Sequence, residues 1–157
     1  MKGDPKLVDT LNELLKGELT AISQYMVHAE MAEDWGYTKL SRSFKTRAVT
    51  EMHHAEHLIE RILFLEGTPI VKNLGDFSIG STIPDMVNND HAMEVDTVRQ
   101  YNEAIVLAAQ CMDYATKEIL THILMDEDSH VDELEEAQDE IAQMGLPQFL
   151  TDQKPDQ

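Results

Sequence analysis

The chain carries the pair Glu51 and His54 and, further on, the pair Glu127 and His130, each spaced Glu-x-x-His. Helical residues three apart lie about 60° from each other around the axis, so both side chains of a pair leave the same face. One such pair arises by chance in many acidic helices, and its repetition carries the weight. Glu18 and Glu94 stand on otherwise apolar helical stripes, where leucine is expected. Glu18 and Glu94, Glu51 and Glu127, and His54 and His130 are each 76 residues apart, and Gln24-Tyr25 recurs as Gln100-Tyr101 at that offset. This repeat predicts two helical hairpins related by a pseudo-twofold axis.

One misplaced carboxylate can be a stray acidic residue at a helix edge, and one histidine a satisfied core side chain. Six facing one another cannot, because each buried unpaired carboxylate costs several kcal/mol and four together repel or are forced to protonate. Two divalent cations balance four carboxylates and leave both imidazoles neutral, and no Lys or Arg is expected on these stripes to do so instead. Oxygen and imidazole ligands without a thiolate suit iron or manganese, with zinc able to bind the same set. A redox role argues for iron. Glu51 and Glu127 are best placed to bridge, with Glu18 and His54 completing one metal and Glu94 and His130 the other. Oxygen or peroxide would then take an electron from each iron. Tyr25, seven residues after Glu18 on the same face, is either a satisfied core tyrosine or a residue whose hydroxyl bonds a ligand carboxylate or donates an electron.

Four helices must position these groups. The first runs from Asp4-Pro5 to Gly36 through Leu7, Leu11, Leu15, Ile22 and Ala29, and the second from about Thr38 to Glu66, stopped by Gly67 and Pro69. The third carries Val87, Val98, Tyr101 and Ile105. The fourth carries Leu120, Ile123, Leu134 and Ile141 and ends at Gly145. Strand-like alternation is absent, so the class is all-α. Short links make the first pair and the last pair antiparallel neighbours. The link Gly67–Thr82 is sixteen residues long. It reaches about 50 Å, against about 40 Å for the second helix, and so can cross the whole bundle and leave helices two and three parallel. One domain is expected over residues 1–157, with the bundle at about 5–144 and a short C-terminal helix at about 147–152.

A chain this long buries roughly 70% of its unfolded surface and needs no staples. Thirty acidic against twelve basic residues, a formal charge of −18, repel nucleic acid and anionic membranes and concentrate cations. The lone Cys111 suits a reducing compartment, and neither a signal-peptide core nor an 18-residue apolar run occurs. A soluble, cytoplasmic protein is expected.

A glutamate from each of two helices and a Glu-x-x-His from each of the other two form the ligand pattern of ferritin-like di-iron proteins. More closely, MKGDPKLVDTLNELLKGEL at the start, TEMHHAEH at 50–57, IERILFLEG at 59–67, DEDSHVDELE at 126–135 and QMGLPQFL at 143–150 resemble a bacterioferritin over essentially the whole chain. The resemblance implies that Glu18, Glu51, His54, Glu94, Glu127 and His130 are the ligands of a two-iron ferroxidase centre. It implies a shell of twenty-four subunits, built from twofold dimers, that stores iron as a ferric mineral. A second bacterioferritin subunit type can join such shells, and an iron–sulfur ferredoxin is implied for iron release.

Haem b shared between two subunits is implied as well, through a methionine matching Met52. On the helix alone Met52 lies about 160° from His54 and reads as interface packing. Where some family members hold a further iron with a histidine and an aspartate, this chain has Thr46 and Thr50, which are poor iron ligands. Met26, Met31, Met86 and Trp35 read as packing residues, and His28, His53, His57, His91 and His122 as ordinary surface or interface residues. The alternatives are a non-haem ferritin, or a di-iron or di-manganese peroxidase or catalase. A rubrerythrin-like chain would bring more cysteines than Cys111.

Overall fold

Three of the four long helices begin behind a capping side chain. In the computed structural model, which describes residues 1–156, α1 (Pro5–Asp34) starts behind Asp4, whose carboxylate accepts from Lys6 N at 2.9 Å and Leu7 N at 3.2 Å. Helix α2 spans Thr38–Phe64 and α3 spans Ile83–Gln110, the latter capped by Thr82. Helix α4 (Tyr114–Met144) is capped by Asp113, and α5 (Leu146–Asp152) follows Gly145 at φ 85°. No strand occurs among the described residues.

The second helix stops two residues earlier than its apolar pattern suggests. Leu65 is its C-cap, and the left-handed residue that turns the chain is Glu66, at φ 61°. Gly67 is required for space: a Cβ there would sit 2.6 Å from Val8 Cγ1.

Helix α1 packs along α2 and α3 along α4, and the two hairpins meet through α1 with α3 and α2 with α4. Residues 67–82 travel along α1. Asn12 takes the N–H of Ile70 and donates to the carbonyl of Thr68; Thr20, Gln24 and His28 then accept from the N–H groups of Gly75, Ser78 and Gly80 in turn. The crossover therefore runs in the direction of α1, and α3 sets out parallel to α2. Asn12, Thr20, Gln24 and His28 recur at multiples of four residues, so one face of α1 satisfies the crossover's backbone. Gly80 has its own reason to be glycine, since a Cβ would lie 2.4 Å from Met86 N.

The apolar core has two parts. One gathers Tyr25, Phe44, Met86, Val87, Leu134 and Phe149; the other gathers Leu11, Leu15, Leu58, Ile62, Tyr101 and Leu120. The chain order of every helix places the six ligand-type residues between these two parts. Among the described residues no helix is long and apolar enough to cross a membrane. Met86 is fully buried, whereas Met26 and Trp35 are exposed in the subunit.

Candidate metal centre

The long antiparallel hairpins bring side chains from four helices to one buried layer. Glu18 from α1, Glu51 and His54 from α2, Glu94 from α3, and Glu127 and His130 from α4 are all buried. They form two overlapping groups whose potential ligand atoms lie within 4.8 Å of one another: Glu18, Glu51, His54 and Glu127, and Glu51, Glu94, Glu127 and His130. Glu51 and Glu127 belong to both groups.

His54 Nδ1 lies 2.9 Å from Glu51 and from Glu127, and 3.6 Å from Glu18. His130 Nδ1 lies 3.2 Å from Glu51 and 3.3 Å from Glu94 and Glu127. Two tyrosines hold the outer glutamates. Tyr25 donates to Glu94 and Tyr101 to Glu18, each at 2.5 Å. Burial pushes both phenols well above their ordinary range, with the facing carboxylates adding to it, so each hydroxyl keeps its proton and remains a donor.

Burial also pushes Glu51 up, and Glu18 beside it pushes the same way. Glu127 is carried to about 8 by burial and the Glu18 charge. Glu94 is pushed up by burial but pulled down harder by His130 and Tyr25, to about 2. His130 is raised to about 10 and His54 higher still, because their carboxylate partners outweigh burial, which favours the neutral ring. Protons thus gather on this layer where cations would otherwise balance the charge.

The donor set fits two divalent cations. Glu51 Oε1, Glu127 Oε2 and His130 Nδ1 are buried side-chain atoms without a hydrogen-bond partner. Buried polar atoms are seldom left so, and here the orphans are oxygen and imidazole nitrogen, donors that suit iron, manganese or zinc.

Several residues around the layer had escaped notice in the sequence. Asp126 on α4 has Oδ2 2.8 Å from His54 Nε2. His28 is fully buried, not a surface residue: its Nε2 accepts from Gly80 N and its Nδ1 faces Asp90, which also accepts from Gln24 Nε2 at 2.8 Å. Arg47, one turn before Glu51, is buried on the α2 face expected to lack a basic residue. It lies over the Tyr25 ring and pairs with Glu133 at 3.3 Å. Tyr101 was legible through its repeat of Tyr25. The others were not, since single residues carry no pattern. Met52 stands outside the cluster with its side chain exposed. Thr46 and Thr50 line a groove of about 370 Å³ together with Asp126, Ser129 and His130.

A buried layer of four glutamates and two histidines at the middle of a bundle with a long crossover defines a ferritin-like protein. In agreement, the family model for the ferritin-like domain matches residues 8–144. The chain is 37% identical to a bacterioferritin of Brucella melitensis over 149 residues, 95% of this chain and 92% of that one. It is 42% identical to a bacterioferritin of Rhodobacter capsulatus over 86% of this chain and 84% of that one. With the bacterioferritin BfrA of Mycobacterium tuberculosis it shares 38% identity over 86% of this chain and 85% of that one. The chain belongs to the bacterioferritin family.

Proposed function

We propose that the protein oxidises ferrous iron at this layer and stores the product as a ferric mineral inside a hollow shell of its own subunits. The observation that carries the reading is the set of buried, unpartnered Glu51, Glu127 and His130 atoms within two overlapping four-residue groups that share Glu51 and Glu127. Two ferrous ions entering as substrate would be bound by Glu18 and His54 on one side and by Glu94 and His130 on the other, with Glu51 and Glu127 between them. Tyr101 and Tyr25 keep Glu18 and Glu94 oriented. Each ion loses one electron. The two electrons reduce oxygen to peroxide, or peroxide to water, with protons drawn from solvent. The product ions leave through the groove at Thr46, Thr50 and His130, where the hydroxyls are too weak as ligands to retain them.

Haem b is the second element of the proposal, held between two subunits by Met52 from each. Met52 is 43% exposed, and Val49, three residues earlier on the same helical face, is 50% exposed, so an apolar strip awaits a cover. Haem there would supply one-electron transfer for iron release, with a ferredoxin as reductant. Met52→Leu preserves the packing and removes the thioether, so haem absorbance is lost while ferrous oxidation continues. Full haem content in the variant overturns the assignment.

Size-exclusion chromatography with iron analysis after aerobic ferrous loading tests storage. A shell of about twenty-four subunits holding far more than two irons in each supports the reading. A small oligomer that saturates at two selects a di-iron or di-manganese peroxidase or catalase. A full shell without haem selects a non-haem ferritin.

A further inference from the structure

The 76-residue offset that relates the ligand-type residues also relates their neighbours. Asp126, immediately before Glu127, corresponds to Thr50, immediately before Glu51. Three carboxylates face Nδ1 of each imidazole: Glu18, Glu51 and Glu127 for His54, and Glu51, Glu94 and Glu127 for His130. His54 has a fourth partner, Asp126 Oδ2, 2.8 Å from Nε2. At the corresponding place Thr50 turns its hydroxyl to its own helix, donating to the Thr46 carbonyl at 3.2 Å.

A carboxylate that accepts from the outer N–H of a metal-binding imidazole fixes the tautomer, leaving the lone pair on the inner nitrogen. It also holds the ring and makes it more basic, and losing it costs about 10–100-fold in metal affinity. The Asp126 side chain is 56% exposed, which places the effect near the lower end of that range, at about tenfold. We propose that Asp126 is a positioning residue that makes the place bounded by Glu18, Glu51, His54 and Glu127 the tighter of the two, so that a pair of ions fills in a fixed order. The proposal rests on the six residues being a two-metal site, and it adds that the two positions are unequal.

Titration of the metal-free protein with cobalt(II), followed by visible absorption, counts the ions bound, and anomalous scattering from crystals holding one equivalent per subunit locates the first. Repulsion between ions separates the steps in any two-metal site, so the order of filling is the readout. In the wild type the first ion sits at the His54 end. Asp126→Thr lowers the affinity there by about tenfold and spreads one equivalent over both positions. The exchange Asp126→Thr with Thr50→Asp moves the first ion to the His130 end. Even occupancy in the wild type, or a first ion still at the His54 end after the exchange, overturns the inequality. A total other than two per subunit overturns the two-metal site itself and the inequality with it.

Discussion

The α1–α2 and α3–α4 hairpins correspond residue for residue at an offset of 76, and the agreement reaches past the metal layer into their turns. Gly36 and Met112 are the left-handed residues, at φ 85° and 57°. Tyr37 N donates to Ala32 O and Asp113 N to Ala108 O, each at 2.9 Å. The surroundings of the layer do not agree. Towards Phe44 it is backed by His28, Asp90 and Arg47; the corresponding residues in the other half are Ala104, Leu14 and Ile123, all buried and apolar. The difference follows the crossover more than the metals, because Gly80 and Ser78 dock on His28 and Gln24, and Asp90 then satisfies both side chains. Symmetry is kept at the six ligand-type residues and is dropped where the chain crosses only one hairpin.

Four comparisons test how far the equivalence goes. The largest effect is expected from Glu127→Ala, which removes a residue common to both four-residue groups. Stopped-flow ferrous oxidation should fall by at least about 100-fold while the shell still assembles, and Glu51→Ala should match it. A variant of either that oxidises like the wild type breaks the equivalence of the bridges.

Asp90→Leu installs the residue of the other half and makes the two surroundings more alike. It should nevertheless destabilise the metal-free protein by about 2–4 kcal/mol in thermal or denaturant unfolding, because Gln24 Nε2 and His28 Nδ1 lose their acceptor in a buried place. Asp90→Asn, which keeps one acceptor, should cost less. An unchanged midpoint for Asp90→Leu would mean that the polar half contributes nothing to stability.

The third comparison is between helix starts. Asp113 caps α4 by accepting from Thr116 N at 3.0 Å and pairs with Arg61 at 2.9 Å, whereas Tyr37 gives α2 no side-chain cap. Burial pushes the Asp113 carboxyl up, but the Thr116 hydrogen bonds and the Arg61 charge bring it below the usual value. A depressed carboxyl contributes stability that is complete above its unfolded pKa and is lost as pH falls through the folded one. Asp113→Ala should therefore cost about 1–2 kcal/mol at neutral pH, and the gap should narrow below about pH 4. A gap constant down to pH 2 would contradict the ionic part.

The smallest effect concerns the turns. Met112 is 79% exposed and left-handed, so Met112→Gly relieves backbone strain without loss of packing. The gain is about 0.5–1 kcal/mol once the added freedom of glycine in the unfolded chain is subtracted. A lower melting temperature would show that the second turn is not governed by the same constraint as the first.

The bundle was legible because its apolar stripes are long and its punctuation is strong: Pro5, Gly36, Pro69 and Gly145 stand at or near the ends of elements. The six ligand-type residues were legible because the repeat counts each feature twice. What has no twin was not. His28 and Asp90 correspond to Ala104 and Leu14, so the repeat could not point to them, and a lone histidine among five unpaired ones looks like surface. Arg47 follows Lys39, Arg42 and Lys45 in sequence with nothing to set it apart, and only the packing shows it turned inward. The α2 terminus was misplaced because Gly67 looked like the left-handed residue, when the turn is made by Glu66 and glycine answers to Val8.

The ties along the crossover also say where the chain can be lengthened. Backbone N–H groups are anchored at Ile70, Gly75, Ser78 and Gly80, which leaves Val71 to Leu74 as the longest untethered stretch, exposed throughout in the subunit. Loop-closure entropy rises only with the logarithm of length, by about 0.6 kcal/mol for each doubling. A peptide grafted after Lys72 would thus cost little and leave every anchor in place. The same graft between Ser78 and Gly80 would pull at the His28 network and at the N-terminus of α3. The crossover is in this sense a graft site with a fixed address, set by the spacing of four polar residues on one helix.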